Sequence, residues 1–201
     1  FLIKDRNPIY WENQYQKLSM DLEAIDIKPP SQKILLTEIQ KLFPAKGIFI
    51  SKIIVTRGKS QTGYDFNKGI KPTRILLKID FNINKYEFFK KGVQLTASNI
   101  RATKSANSGI KDLNRLENVL ARKGISRNFF DAIMVDSNEN ICDCARSSLF
   151  IRYGNTLYTA SNRSFGIHGV TKKIICENIK KLNLNIDYSP LTLNQLLKAD
   201  E

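Results

Sequence analysis

The sequence predicts an α+β fold in two domains, and three observations carry that prediction. Apolar residues step by three and four from Trp11 to Leu42 and then switch to alternation, which is the change from helical to strand periodicity. Turn signals such as Gly154-Asn155 and Ser137-Asn138-Glu139-Asn140 divide short apolar runs, and strands with one buried face occur in both halves. Between the halves, Ser98 to Ser108 is polar and without period, so it reads as a linker or active-site loop. The expected layout is a smaller N-terminal α+β domain over 1–86, a connecting strand and interdomain loop over 87–108, and a larger domain over 109–201.

Each element has its own signal. Trp11, Tyr15, Leu18, Leu22 and Ile25 mark one face of a first helix, which Pro29-Pro30 stops. Ser31 can cap a second helix carrying Leu35, Ile39 and Leu42 on one side, closed by Pro44 and Gly47. Ile48 and Ile50, Ile53 and Val55, then Ile75, Leu77, Ile79 and Phe81 alternate as strands with one face buried, around a polar, Gly-containing loop from Arg57 to Thr73. A further strand lies near Val93-Gln94-Leu95-Thr96. In the second half, a helix runs from about Asp112 to Lys123 with Leu113, Leu116 and Leu120 inward. Asp131–Val135 and Ile141–Ala145 form one hairpin, and Leu149–Tyr153 and Thr156–Thr159 form another. Thr171 starts a helix with Ile174, Ile175, Ile179 and Leu182 apolar, and Thr192 with Gln195 makes a capping box for the last one.

Composition bounds the function. A chain of 201 residues at 42% hydrophobic can bury a sizeable core. No apolar run approaches the roughly 18 to 20 residues of a membrane span, and no secretory leader is visible, so a soluble cytoplasmic protein is expected. Cys142, Cys144 and Cys176 form neither an even disulfide set nor, with His168 as the one histidine, a four-ligand metal pattern; reduced thiols and no metal are expected. The net charge of +13 invites phosphate, but the lysine pairs at 90–91, 172–173 and 180–181 are scattered, without an Arg stripe or interleaved aromatics. Nucleic acid is not the expected partner. The chain begins at Phe1 rather than Met, which suggests part of a longer product.

Three features carry chemistry. Lys111 stands where the polar loop meets a helix, so its amine can be aimed into a cleft, form a Schiff base with an aldehyde cofactor and then serve as general acid or base. Most lysines are merely solvated, and position alone does not separate the two readings. Asp143 lies on an otherwise apolar strand, where a carboxylate must find a partner; beside a pyridine nitrogen it would keep that nitrogen protonated. An exposed alternating position is the simpler alternative. Gly169-Val170-Thr171 supplies free N–H groups, a positive dipole end and a hydroxyl at a helix start, suited to phosphate, although Thr171 could equally be a plain cap. His168 reads as a turn or packing residue. Amine, carboxylate and anion site are together what a pyridoxal phosphate pocket requires.

These stretches resemble the class IV, or fold-type IV, pyridoxal-phosphate enzymes, the group of branched-chain and D-amino-acid aminotransferases and the aminodeoxychorismate lyases. The resemblance spans nearly the whole chain: Gln16-Lys17-Leu18, Val55-Thr56-Arg57-Gly58 with Gly63-Tyr64, Pro72-Thr73-Arg74-Ile75, and Gly109 to Glu201. Ile110-Lys111-Asp112-Leu113-Asn114-Arg115-Leu116-Glu117 is its most specific part and favours the lyases. It implies a two-domain fold of the D-amino-acid aminotransferase kind and a homodimer, since the family's pockets lie near a subunit interface. By the same likeness Lys111 would hold the cofactor, Asp143 would face the pyridine nitrogen, and Gly169, Val170, Thr171 and Lys17 would bind phosphate. The implied reaction converts 4-amino-4-deoxychorismate to 4-aminobenzoate and pyruvate on the route to folate; the alternatives are an aminotransferase acting on branched-chain or D-amino acids, or a drifted homologue without turnover. Asp143 replaces a usual glutamate, Lys17 and Lys172 replace arginines, Ser148 an asparagine, Ala160 a proline, and Thr62 a carboxylate-binding arginine of related enzymes. The family normally has further strands before the equivalent of Phe1 and more sheet after Glu201, so truncation at both ends is expected.

Overall fold

The computed structural model describes residues 1–60, 63–67, 69–81, 88–161 and 165–201. The fold is mixed α and β, and the chain divides into two compact units, Phe1–Glu87 and Phe88–Glu201.

The first unit is a sheet with helices. Strands β1 (Leu2–Lys4), β2 (Asn7–Pro8), β3 (Ile48–Thr56) and β4 (Thr73–Asp80) lie in the order β2-β1-β3-β4, every pair antiparallel. Helix α1 (Trp11–Glu23) ends before Ile25, and α2 (Gln32–Leu42) is capped by the Ser31 hydroxyl, which accepts from the Ile34 N–H. Ile3, Ile39 and Phe43 form the buried centre, with Trp11, Phe49 and Leu76 packed around it. Two expectations change here. Leu42 is exposed and Phe43 takes its place inside, because the chain leaves the helix at Phe43 and turns that ring inward. On β4 it is Leu76 that reaches the core, whereas Ile75, Leu77 and Ile79 stay 42%, 39% and 44% exposed on the other face.

The second unit has two small sheets. Strands β5 (Leu95–Ala97), β6 (Asp131–Val135) and β7 (Ile141–Cys144) form one, with β5 parallel and β7 antiparallel to β6. Strands β8 (Ile151–Tyr153), β9 (Thr156–Tyr158) and β10 (Asn185–Asp187) form the other, with β9 central. The helices after α3 (Phe88–Lys91) are α4 (Leu116–Lys123), α5 (Val170–Asn178), continued by a 3-10 turn over Ile179–Leu182, and α6 (Leu193–Leu196). The Thr192–Gln195 capping box is present. Asp136 closes the β6–β7 turn by accepting from the N–H groups of Asn138 and Asn140. Of the apolar residues expected around α5, Ile179 is buried but Leu182 is 62% exposed.

Helix α4 reverses its expected orientation. Leu113, Leu116 and Leu120 are 67%, 64% and 41% exposed, and Ala121 is the buried residue of the helix. Polar side chains do the docking: Asn118 donates to the Ala145 carbonyl at 2.6 Å and Arg122 to the Phe130 carbonyl at 2.6 Å. Each bond satisfies a carbonyl at a strand end, a demand that leucine cannot meet. Among the described residues no helix is long and apolar enough to cross a membrane.

Candidate functional site

The segment carrying Lys111 is stitched to the approach of α5. Gly109 bridges Ile167 in parallel register, with the Gly109 N–H donating to the Gly166 carbonyl at 3.0 Å and the His168 N–H to the Gly109 carbonyl at 2.9 Å. Gly109 has φ +86°, and a Cβ there would stand 2.8 Å from Cδ2 and Nε2 of His168, so only glycine fits. The imidazole lies against the backbone just upstream of Lys111. The helix expected from Asp112 starts later, at Leu116, because Asp112 folds a turn of its own: its carboxylate accepts from the Asn114 N–H at 3.1 Å and pairs with Arg115 at 3.4 Å. Arg115 also donates to the Ile110 carbonyl. Both neighbours of Lys111 are therefore fixed, while its own side chain is exposed.

A β-bulge orients Asp143. Ile133 pairs with Cys144, Met134 with Asp143 and Val135 with Ile141, which leaves Cys142 as the extra residue. Ile141 and Cys144 consequently share one core cluster, and Asp143 falls on the Met134 side. It is 8% exposed. One carboxylate oxygen accepts the Leu149 N–H at 2.8 Å and the other a long 3.5 Å contact from the Ser148 hydroxyl. The turn supplying these donors is anchored from below by Asp131, which is fully buried and accepts from the Ser147 hydroxyl at 2.6 Å and the Arg146 N–H at 3.2 Å. Arg122 and Arg146, at 3.9 and 4.0 Å, offset its charge.

The start of α5 meets the same turn. Gly169 is the N-cap residue, no side chain caps the helix, and a Cβ at Gly169 would approach the Ser148 hydroxyl to 3.3 Å. The helix therefore begins at Val170, one residue earlier than expected, and Thr171 is its second residue. Asp143, Ser148 and Gly169 follow one another in contact. Lys172, in the first turn, is 8% exposed and its ammonium donates to the Ala160 carbonyl. Burial pushes its pKa down, opposed by the negative charge of Asp143 and by Cys176.

Lys17 belongs to the other unit, on α1, where its ammonium pairs with Asp21. Its assignment to a phosphate rests on the resemblance alone. Thr62 lies outside the described residues. Asp131 has no role in the sequence-based expectation, although an acid opening an otherwise apolar strand carries the same signal as Asp143. His168, which the sequence marks as a turn or packing residue, packs on Gly109.

The sequence signature of the class IV amino-transferases matches residues 1–201 of this chain. The protein belongs to the class IV aminotransferase family. An aminodeoxychorismate lyase from Vibrio harveyi is 23% identical over 194 residues, an alignment taking in 96% of this chain and 72% of the lyase. The crystal structure of 4-amino-4-deoxychorismate lyase from Pseudomonas aeruginosa superposes with a TM-score of 0.89 at 26% identity, covering 99% of this chain and 74% of that one. An aminotransferase from Brucella abortus, solved with the cofactor pyridoxal phosphate bound, gives 0.77 at 16% identity over 100% of this chain and 75% of that one, which speaks for the fold alone. The fold-type IV architecture expected from the sequence is thereby established.

Proposed function

We propose that this protein is a pyridoxal-phosphate-dependent lyase that converts 4-amino-4-deoxychorismate to 4-aminobenzoate and pyruvate. The observation that carries the reading is the Gly109–Ile167 bridge, which ties the backbone beside the Lys111 amine to the segment entering α5. The residues present fit the cofactor: a primary amine on a fixed backbone, a buried carboxylate, and a helix start without a side-chain cap. Bound, the cofactor supplies an electron sink for bond cleavage in the substrate.

The chain supplies the rest. The Lys111 Nζ holds the cofactor, takes a proton from the substrate and returns one to the departing three-carbon fragment as pyruvate leaves. Aromatisation of the ring drives the step, so positioning counts for more than a strong base. Asp143 faces the pyridine nitrogen, its carboxylate held in place by the Leu149 N–H and the Ser148 hydroxyl. Being one methylene shorter than glutamate, it depends on the bulge at Cys142 for its direction. The amides of Gly169, Val170 and Thr171 bind phosphate with the positive end of α5. The enzyme works in the cytoplasm as a homodimer on a route to folate.

The second reading is an aminotransferase of the same family acting on branched-chain or D-amino acids, since the class IV signature that matches the whole chain is that of the aminotransferases. Products separate the two, since a transaminase must also accept a second amino acid and its keto acid. The primary experiment mixes the protein with pyridoxal phosphate, records the visible spectrum, traps with borohydride and maps the labelled peptide beside Lys111→Ala. A band lost in the variant and a label confined to Lys111 support the cofactor site, and release of 4-aminobenzoate and pyruvate from 4-amino-4-deoxychorismate supports the lyase. A label spread equally over surface lysines in both proteins would falsify the assignment of Lys111.

A further inference from the structure

We infer that Thr159 is a positioning residue: its buried hydroxyl holds the carbonyl of Leu149, the residue whose N–H holds the Asp143 carboxylate, so that the end of one sheet aims an acid carried by the other. That role serves the proposed cofactor site and so rests on that reading, whereas the contacts themselves belong to the free protein.

Asp143 is oriented by a donor that must itself be oriented. The Leu149 N–H reaches the carboxylate at 2.8 Å, closer than the 3.5 Å of the Ser148 hydroxyl. Leu149 lies between β7 and β8, outside either strand, so no ladder of strand hydrogen bonds fixes the direction of its amide. The Thr159 hydroxyl does so instead, donating to the Leu149 carbonyl at 2.7 Å. Both backbone polar groups of Leu149 are thereby engaged, the carbonyl by Thr159 and the N–H by Asp143.

Thr159 is itself a fixed point. It follows β9 and is 5% exposed, and a hydroxyl buried to that extent requires a partner. Its β-branched side chain is stiff at χ1, so the hydroxyl keeps its direction. The backbone is tied on both sides: the Thr159 N–H donates to the Asp187 carbonyl at 3.1 Å, and the Ala160 carbonyl accepts from the Lys172 ammonium. At the other end of the same link, Asp131 accepts from the Arg146 N–H and the Ser147 hydroxyl. Asp131 reaches the link from β6 and Thr159 from the end of β9, so residues 146–149 are clamped between the two sheets. Valine at 159 would keep the branched shape and lose the donor, while serine would keep the donor and lose a methyl group.

Free wild-type protein, Thr159→Val and Thr159→Ser are compared by hydrogen exchange resolved at single amides, and each is titrated with pyridoxal phosphate by fluorescence. In Thr159→Val, exchange of the Leu149 amide rises about tenfold or more while the β6 amides stay within about threefold, and Thr159→Ser protects Leu149 as the wild type does. Cofactor affinity falls about tenfold in Thr159→Val, and that loss shrinks below about threefold when Asp143→Asn is already present, because a residue acting through Asp143 has nothing left to act on. Unchanged protection of Leu149 in Thr159→Val overturns the inference, as does a rise shared equally by β6 or an affinity loss of equal size in both backgrounds. If Thr159→Val does not fold, Thr159→Ala takes its place: Leu149 loosened in the alanine variant and protected in Thr159→Ser supports the role, and equal protection in both refutes it. A wild type that takes up no pyridoxal phosphate removes the cofactor reading; in that case, or if Asp143→Asn takes up none, the Leu149 exchange decides the role of Thr159 by itself.

Discussion

Gly109 is a residue with no room for change. Its φ of +86° and the His168 ring 2.8 Å from where a Cβ would stand oppose any side chain. Gly109→Ala is expected to cost about 1–3 kcal/mol in urea unfolding from the positive φ, and to weaken borohydride labelling of Lys111 because the Ile167 bridge opens. His168→Ala added to Gly109→Ala recovers the steric part of that loss and not the backbone part. Asp131 is the second such residue. Asp131→Ala removes the acceptor for the Ser147 hydroxyl and the Arg146 N–H, a loss of about 2–4 kcal/mol readable in the same assay. Stability unchanged in Asp131→Ala would show that the turn beneath Asp143 holds without its anchor. Of the proposed site residues, Lys111, Asp143 and Gly169 stand out in the sequence by residue type and neighbourhood. Lys172 was legible only as a stand-in for an arginine, because burial of a lysine leaves no mark in the sequence.

At the scale of elements, β7 and α4 are the instructive cases. Strict alternation along β7 puts Asp143 on the same side as Ile141; the extra residue Cys142 puts them on opposite sides. The same strand is expected to make the protein sensitive to alkali. Burial is the first cause, and nearby carboxylates the second, that push Cys142 and Cys144 from an ordinary 9.0 up to about 12. The folded state keeps these protons after the unfolded state has lost them, so their contribution is intact below pH 9 and declines as pH rises toward 12. Each thiol adds a slope of about 1.4 kcal/mol per pH unit in that window. Cys142→Ala and Cys144→Ala are each expected to halve the combined slope in alkaline urea titrations, and an unaltered slope in both refutes the assignment. Lys172 acts in the opposite sense, since a lowered lysine pKa adds stability as pH rises from its folded value to 10.5. Helix α4 was legible as amphipathic but not in its orientation, since periodicity identifies two faces and leaves open which one the strand carbonyls attract.

At the scale of the whole molecule, the apolar residues left outside bear on assembly. Leu113, Leu116, Val119 and Leu120 are 67%, 64%, 59% and 41% exposed, a surface suited to the proposed homodimer. Sedimentation equilibrium at micromolar concentration is expected to find a dimer that Leu116→Asp with Val119→Asp converts to monomer. A wild-type monomer refutes that assembly, and a double variant that stays dimeric moves the interface elsewhere. The sequence by itself determined the α+β class, the hairpins, the capping box and the kinds of groups proposed to face the cofactor, because periodicity, turn chemistry and side-chain chemistry are local properties. The tertiary structure decided which face of α4 and of β4 is open, on which side of β7 Asp143 stands, and that Lys172 is buried at the head of α5. Those outcomes depend on bulges, carbonyls and charges brought together from distant parts of the chain, and one-dimensional spacing carries no information about which of them will meet.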